Sequence, residues 1–353
     1  MEWSKAQENI KYNLAVSGVP PADISLLSPS IDDFTMAASF PYGWPPLIER
    51  IAKRYRVESE WVALAHGTSM ANHLALAALL DPGDSVLLET PTYDPHRIVP
   101  EYLGCKVRLF QRRPEESYQL DFKAIRRGLT RQTRLIILSN LHNPTGAVIT
   151  RTELEELATI AEKRDIRILV NEVYLDWVDG RVDTPRSAIN LSPRFVTTNS
   201  LTKVYGFSPL RSGWILAEPE LAARMRRLTG LFTNFIAHPT ERLAARALDK
   251  TATLLDRTRE RVDHNRSIVS DFIAAQPRLS WAKPQGGPIG FVRLKDGSVN
   301  ELVDRLESEY ETLVVPGRFF GMSDHFRIGF GMDTPQLEGG LSRLSEALAD
   351  QPR

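Results

Sequence analysis

Arg134-Leu135-Ile136-Ile137-Leu138-Ser139 is an apolar run, Thr150-Arg151-Thr152-Glu153 has the form of a capping box, and Arg167-Ile168-Leu169-Val170 is a second apolar run. Runs rich in Ile, Leu and Val without polar alternation are strands buried on both faces. In the box, the Thr150 hydroxyl and the Glu153 carboxylate satisfy each other's backbone N–H, which opens a helix reaching to about Lys163. A buried strand, a helix and a second buried strand make a crossover unit, and crossover units build parallel sheets.

The same alternation extends on both sides. Leu47 to Arg56 and Thr68 to Leu80 read as helices, the second stopped by Asp81-Pro82-Gly83-Asp84. Ser85 to Glu89, Lys106 to Phe110, Phe195 to Asn199 and Trp214 to Ala217 read as further strands. The predicted fold is α/β, three layers deep, with a mostly parallel sheet and helices on both faces. After Pro239 the pattern changes. A polar-faced helical stretch runs to about Ala275. Then come a strand (Ile289 to Leu294), a helix (Val299 to Tyr310), two strands (Thr312 to Val315, Phe326 to Phe330) and a last helix from about Thr334. This predicts an N-terminal arm (1–45) packing with a small α+β domain (239–353), and a large domain over 46–238.

Composition narrows the function. Of 353 residues, 42% are hydrophobic, which is ample for a large core, and 44 Lys+Arg balance 44 Asp+Glu. A neutral chain has no global electrostatic pull toward nucleic acid or a membrane surface. No apolar run approaches a membrane span. The N-terminus shows no apolar signal segment, and the single cysteine, Cys105, suits a reducing compartment, so a cytoplasmic location is expected. One cysteine also leaves no disulfide framework and no Cys-rich metal site, and no metal is expected. No Gly-x-Gly-x-x-Gly follows a strand and no phosphate loop ending in Gly-Lys-Ser/Thr is present, so dinucleotide and P-loop folds are not indicated.

Candidate functional residues fall at strand ends, where open α/β sheets bind ligands. In Ser200-Leu201-Thr202-Lys203, followed by Leu210-Arg211-Ser212-Gly213-Trp214, a lysine suited to bond an aldehyde lies between a serine and an arginine suited to hold a phosphate. His66-Gly67-Thr68-Ser69 precedes a helix and forms either an anion site or an ordinary cap. Tyr93 follows a strand, as a ring that stacks on a planar cofactor or simply packs. Asn143, in Asn-Pro-Thr-Gly, is a hydrogen-bond donor or part of a turn. Asn171 and Tyr174 end another strand. Arg327, in Phe326-Arg327-Ile328, is a cation within an apolar strand, where it serves as a carboxylate ligand or as half of a buried ion pair.

Taken in order, Asn-Pro-Thr-Gly, Asn-Glu-Val-Tyr, Ser-Leu-Thr-Lys, Leu-Arg-Ser-Gly-Trp and Phe-Arg-Ile resemble the class I/II aminotransferases, fold type I enzymes of pyridoxal 5'-phosphate (PLP). The likeness runs from about residue 40 to 330. It implies PLP as cofactor and an amino acid and a 2-keto acid as substrates. It makes Lys203 the Schiff-base lysine and proton carrier. It makes Gly67, Thr68, Ser69, Ser200 and Arg211 the phosphate cup, and Tyr93 the ring that stacks on the pyridine. Asn143 and Tyr174 match the pair on the phenolate oxygen. Arg327 matches the α-carboxylate clamp, joined by Asn143 and by a backbone contact from Gly18. Tyr42 resembles a tyrosine that reaches the partner subunit's phosphate, which implies a homodimer with shared sites.

Asn171 departs from the family, which has an aspartate opposite the pyridine nitrogen. A carboxamide supplies no charge, and losing a close ion pair moves a pKa by about 1–3 units, or about 1.4–4 kcal/mol. Glu172 is a poor substitute, because the next residue on a strand faces the other way. The expected activity is transamination through Lys203. The alternatives are a PLP-dependent lyase, decarboxylase or cyclase, and a PLP-binding protein of weak turnover in which Asn171, as natural variant or engineered change, weakens the electron sink.

Overall fold

The computed structural model describes residues 10–36, 40–178 and 182–350. Its centre is a seven-stranded sheet. Its strands are β2 (Val62–His66), β3 (Ser85–Thr90), β4 (Lys106–Gln111), β5 (Thr133–Ser139), β6 (Arg167–Asn171), β7 (Phe195–Ser200) and β8 (Ser212–Leu216), in the spatial order β2-β8-β7-β6-β5-β3-β4. β8 runs antiparallel to both neighbours and every other pairing is parallel. All strands but β8 therefore end at one edge.

Alternate side chains of one strand feed two cores. Leu135 and Ile137 join Ala71, Leu74 and Met225 on one face, while Ile136 and Leu138 join Leu154, Leu157 and Ile160 on the other. Burial on both faces is why β5 carries no polar alternation. The first of these cores is covered by α2 (Gly67–Leu79) and α6 (Pro219–Thr233), the second in part by α5 (Arg151–Arg164). The capping box at Thr150 is present, with the Thr150 Oγ1 accepting from the Glu153 N–H and the Glu153 Oε2 accepting from the Thr150 N–H.

Several elements depart from the expectations. The strand β2 has a short, alanine-rich sequence and was not predicted; nor were α3 (Pro95–Tyr102), α4 (Phe122–Gly128), α6 and β9 (Leu279–Trp281). The single helix expected to Ala275 is two, α7 (His238–Asp249) and α8 (Thr251–Ala275), broken at Lys250. No Gly or Pro marks that break. Lys250 is held from outside, its Nζ donating to Leu26 O and Ser28 Oγ.

The one strand expected over Thr312 to Val315 is also divided. β11 (Thr312–Leu313) pairs in parallel with β1 (Tyr12–Asn13), while β12 (Val315–Pro316) pairs with β13 (His325–Gly329) in a second, four-stranded sheet ordered β12-β13-β10-β9, β10 being Ile289–Leu294. Two helices, α9 (Val299–Ser308) and α10 (Thr334–Asp350), pack together against this region. Among the described residues no helix is long and apolar enough to cross a membrane.

The N-terminal segment lies across β13. Gly329 N–H donates to Leu14 O at 2.7 Å, and a Cβ at Gly329 would stand 1.8 Å from Val16 O. That approach requires a glycine. Gly329→Ala is expected to lose about 2 kcal/mol or more of stability, measured by urea unfolding, because the arm has no space into which to retreat without losing its pairing.

Candidate active site

The strand ends converge on a cavity of about 750 Å³. One end is built for an anion. Gly67 opens α2, so the free N–H groups of the first helical turn and the positive end of its dipole face the cavity at Thr68 and Ser69. Thr68 Oγ1 donates to Ser200 Oγ at 2.7 Å, joining the helix start to the end of β7. Arg211 lies over Gly67, where a Cβ would stand 2.4 Å from its Nη2. Gly67 also has φ +76°, in the left-handed region. Arg211 itself holds φ +47° at the end of a short turn, a strained placement for a non-glycine residue. Among the described residues its side chain donates only to carbonyls, those of Ser208 and His66, at 3.3 Å each. A helix start, two hydroxyls and a guanidinium form a cradle suited to an anion such as a phosphate.

Lys203 lies on the loop after β7. Its Nζ donates to Ser17 Oγ at 2.9 Å, so the arm reaches the reactive group. Removal from bulk water, with Arg327 and Arg211 nearby, lowers its pKa to about 8. A lysine with that pKa has a substantial neutral, nucleophilic fraction at physiological pH.

Arg327 enters from β13. Its Nη1 donates to Asn143 Oδ1 at 3.1 Å and its Nη2 to Ala15 O at 2.9 Å. It forms no ion pair among the described residues, and its buried Nε has no partner. A buried guanidinium met only by neutral acceptors is a site for an incoming carboxylate. Tyr93 and Tyr174 line the same space, both with hydroxyl pKa values raised by burial.

Asn171 ends β6 on the cavity floor. Its Oδ1 accepts the Val173 N–H at 3.1 Å, and its Nδ2 lies 3.3 Å from His96 Nε2. Glu172 faces away: its Oε1 accepts from Ala188 N at 2.8 Å, and burial raises its pKa to about 8.

Of the expected residues, Thr68, Ser69, Tyr93, Asn143, Asn171, Tyr174, Lys203, Arg211 and Arg327 line the cavity together. Gly67 and Ser200 support them from behind. Gly18 does not line the cavity; it packs on Lys203, where a Cβ would stand 3.2 Å from Lys203 O, and the arm's carbonyl at the arginine comes from Ala15. Tyr42 lies outside the cavity, 57% exposed. Sequence reasoning missed Ser17, Ala15, Asn72 and His96. The arm residues lie just before Gly18, the arm position expected at the site, and could have been sought beside it. His96 carries no local signal.

A lysine facing an anion cradle at the strand ends of such a sheet defines a PLP-dependent enzyme of fold type I. The model of aminotransferase class I and II matches residues 31–344. Capreomycidine synthase of Streptomyces vinaceus is 32% identical over 294 residues, covering 83% of this chain and 75% of that protein. The arginine–pyruvate transaminase AruH of Pseudomonas aeruginosa is 28% identical, over 86% of this chain and 80% of its own length. A PLP-dependent aminotransferase from Streptococcus suis superposes with a TM-score of 0.93 at 28% identity, covering 100% of this chain and 98% of that one. The chain belongs to the class I and II aminotransferase family, and its cofactor is PLP.

Two outcomes follow from the electrostatics. The rate at which apoprotein couples to PLP, followed by stopped-flow absorbance, is expected to rise through about pH 8, because only neutral Lys203 attacks; at pH 7 it lies about tenfold below its plateau. Arg327→Met is expected to leave the melting temperature unchanged or higher, since it removes an unpaired buried cation. It should weaken amino-acid binding to the holoenzyme by about 100-fold or more, read by spectral titration.

Proposed function

We propose that the protein is a transaminase that moves an amino group from an amino acid to a 2-keto acid. The observation that carries this reading is Lys203, poised near neutrality, in one cavity with Arg327, a cation held open for a carboxylate. When bound, PLP supplies an aldehyde that condenses with amino groups and a ring that draws electrons from Cα. The residues supply the rest. Arg327 grips the α-carboxylate, assisted by Asn143. Thr68, Ser69, Ser200 and Arg211 would hold the phosphate, while Asn143 and Tyr174 would hold the phenolate oxygen. Lys203 Nζ would act as the base that takes the proton from the substrate Cα and as the acid that returns it.

The cyclase reading stands beside it, favoured by two relatives. Capreomycidine synthase is one, and the PLP-dependent cyclase OrfR, with a TM-score of 0.90 at 25% identity over 99% of this chain and 96% of that one, is the other. Arginine with pyruvate is the first pair to assay, since the transaminase relative is named for it. Alanine formed from pyruvate supports transamination, while a cyclic product without alanine supports the alternative.

We also propose a homodimer in which Tyr42 completes the partner's phosphate site. Exposed Leu231, Phe232 and Phe235 support such an interface. The arm (1–45), large (46–238) and small (239–353) domain division is supported by the two separate main sheets. The single buried cysteine supports a reducing, cytoplasmic setting. Lys203→Ala is expected to abolish both the visible absorbance of the lysine-bound cofactor and turnover. An unchanged spectrum would remove Lys203 from its role.

A further inference from the structure

Two carboxamides, Asn72 and Asn171, line the cavity floor, with the buried imidazole of His96 behind them. Asn72 Nδ2 and Asn171 Nδ2 each lie 3.3 Å from His96 Nε2. Thr198 Oγ1 donates to Asn72 Oδ1 at 2.6 Å, and Val173 N–H donates to Asn171 Oδ1 at 3.1 Å. These two donors orient both amides with nitrogen toward the ring of His96. Nε2 is therefore an acceptor, and the imidazole proton is on Nδ1, which is buried without a partner. Asn171 keeps one further amide hydrogen.

The position of the cofactor's ring nitrogen follows from the cofactor's own chemistry. PLP carries its phosphate arm and aldehyde on adjacent ring carbons, and the nitrogen lies across the ring from the aldehyde carbon. With the phosphate at Thr68, Ser200 and Arg211, the aldehyde at Lys203 and the phenolate oxygen at Asn143 and Tyr174, the floor at Asn171 and Asn72 is left for the nitrogen.

Among the described residues no anion stands there to balance a pyridinium. Asp94, the one carboxylate among the lining residues, pairs with Arg97 at 3.1 Å. Glu172 faces the other side of the sheet, and Glu89 is held by Arg112 at 2.8 Å. His96 is fully buried and its pKa falls to about 4, so it is neutral. Tyr93, edge-on to His96, is un-ionised, its pKa raised by burial. Lys203, Arg211 and Arg327 add only positive charge to the same cavity. Desolvation and like charge both oppose a further cation.

We propose that Asn171 holds the cofactor's ring nitrogen unprotonated, as the acceptor of a hydrogen bond from its Nδ2–H. The inference rests on PLP binding as described above. It makes Asn171 the residue that sets how strongly the ring draws electrons, and it makes His96 a positioning residue that keeps the amide in its donor orientation. A carboxylate at 171 would reverse the floor: it would accept from His96, moving the imidazole proton to Nε2, and would stabilise a pyridinium.

The test is nitrogen-15 NMR of holoenzyme reconstituted with PLP labelled at the ring nitrogen, between about pH 6 and about pH 9. The wild-type resonance is expected at the position of an unprotonated pyridine throughout, and that of Asn171→Asp at the pyridinium position. Nitrogen-15 histidine labelling should show His96 protonated on Nδ1 in the wild type and on Nε2 in Asn171→Asp. A pyridinium resonance in the wild type would overturn the inference alone. Absence of any protein-bound cofactor signal would overturn the cofactor assignment with it. If Asn171→Asp fails to fold, the wild-type resonance still decides the question.

Discussion

Three cations line one cavity, and none of them has a carboxylate partner among the described residues. Much of the surrounding structure answers to that constraint. Each cation is met by neutral acceptors: Lys203 by the Ser17 hydroxyl, Arg211 by the carbonyls of His66 and Ser208, and Arg327 by Asn143 and the Ala15 carbonyl. Neutral acceptors fix the direction of a cation without cancelling its charge. The cavity therefore favours an anionic occupant. Burial, together with the same repulsion, lowers the Lys203 pKa to about 8.

The arm is where this arrangement couples to the fold. β1 pairs with β11, Leu14 O and Val16 O lie against Gly329, and the next residues supply Ala15 O and Ser17 Oγ to the two reactive side chains. Seating of the arm and preparation of the site are one event, because the same short segment does both. Strain at Arg211 and the bare approach at Gly67 belong to the same economy: local conformational cost is accepted where the ligand's charge is held.

Much of the large sheet was legible in the sequence because its buried strands carry continuous apolar runs and its best-marked helix carries a capping box. β2 and α3 were not: an alanine-rich strand has little β signal, and the helix Pro95–Tyr102 is short and has Pro100 inside it. The division of Thr312 to Val315 between two sheets has no local cause, since it depends on where the arm and β13 lie. The break at Lys250 likewise comes from a contact with the segment around Leu26. Lys203, Asn143 and Tyr174 were legible because each follows a strand, and Arg211 because it stands just before β8, whose start lies at the same sheet edge where such sheets bind. Ser17, Asn72 and His96 were not, because their roles arise only when distant segments meet.

The chemistry present is written in the residues: a lysine and an arginine set around one strand end, an asparagine in place of an acid at another, and an arginine inside an apolar strand. Residue type fixes what a side chain can donate, accept or ionise. Tertiary structure alone decided how those groups are used. Among the described residues it left Arg327 without a carboxylate, brought Ser17 to Lys203, and set neutral groups around Asn171. Charge and protonation depend on distance and on removal from water, and neither exists until segments far apart in the chain have packed together.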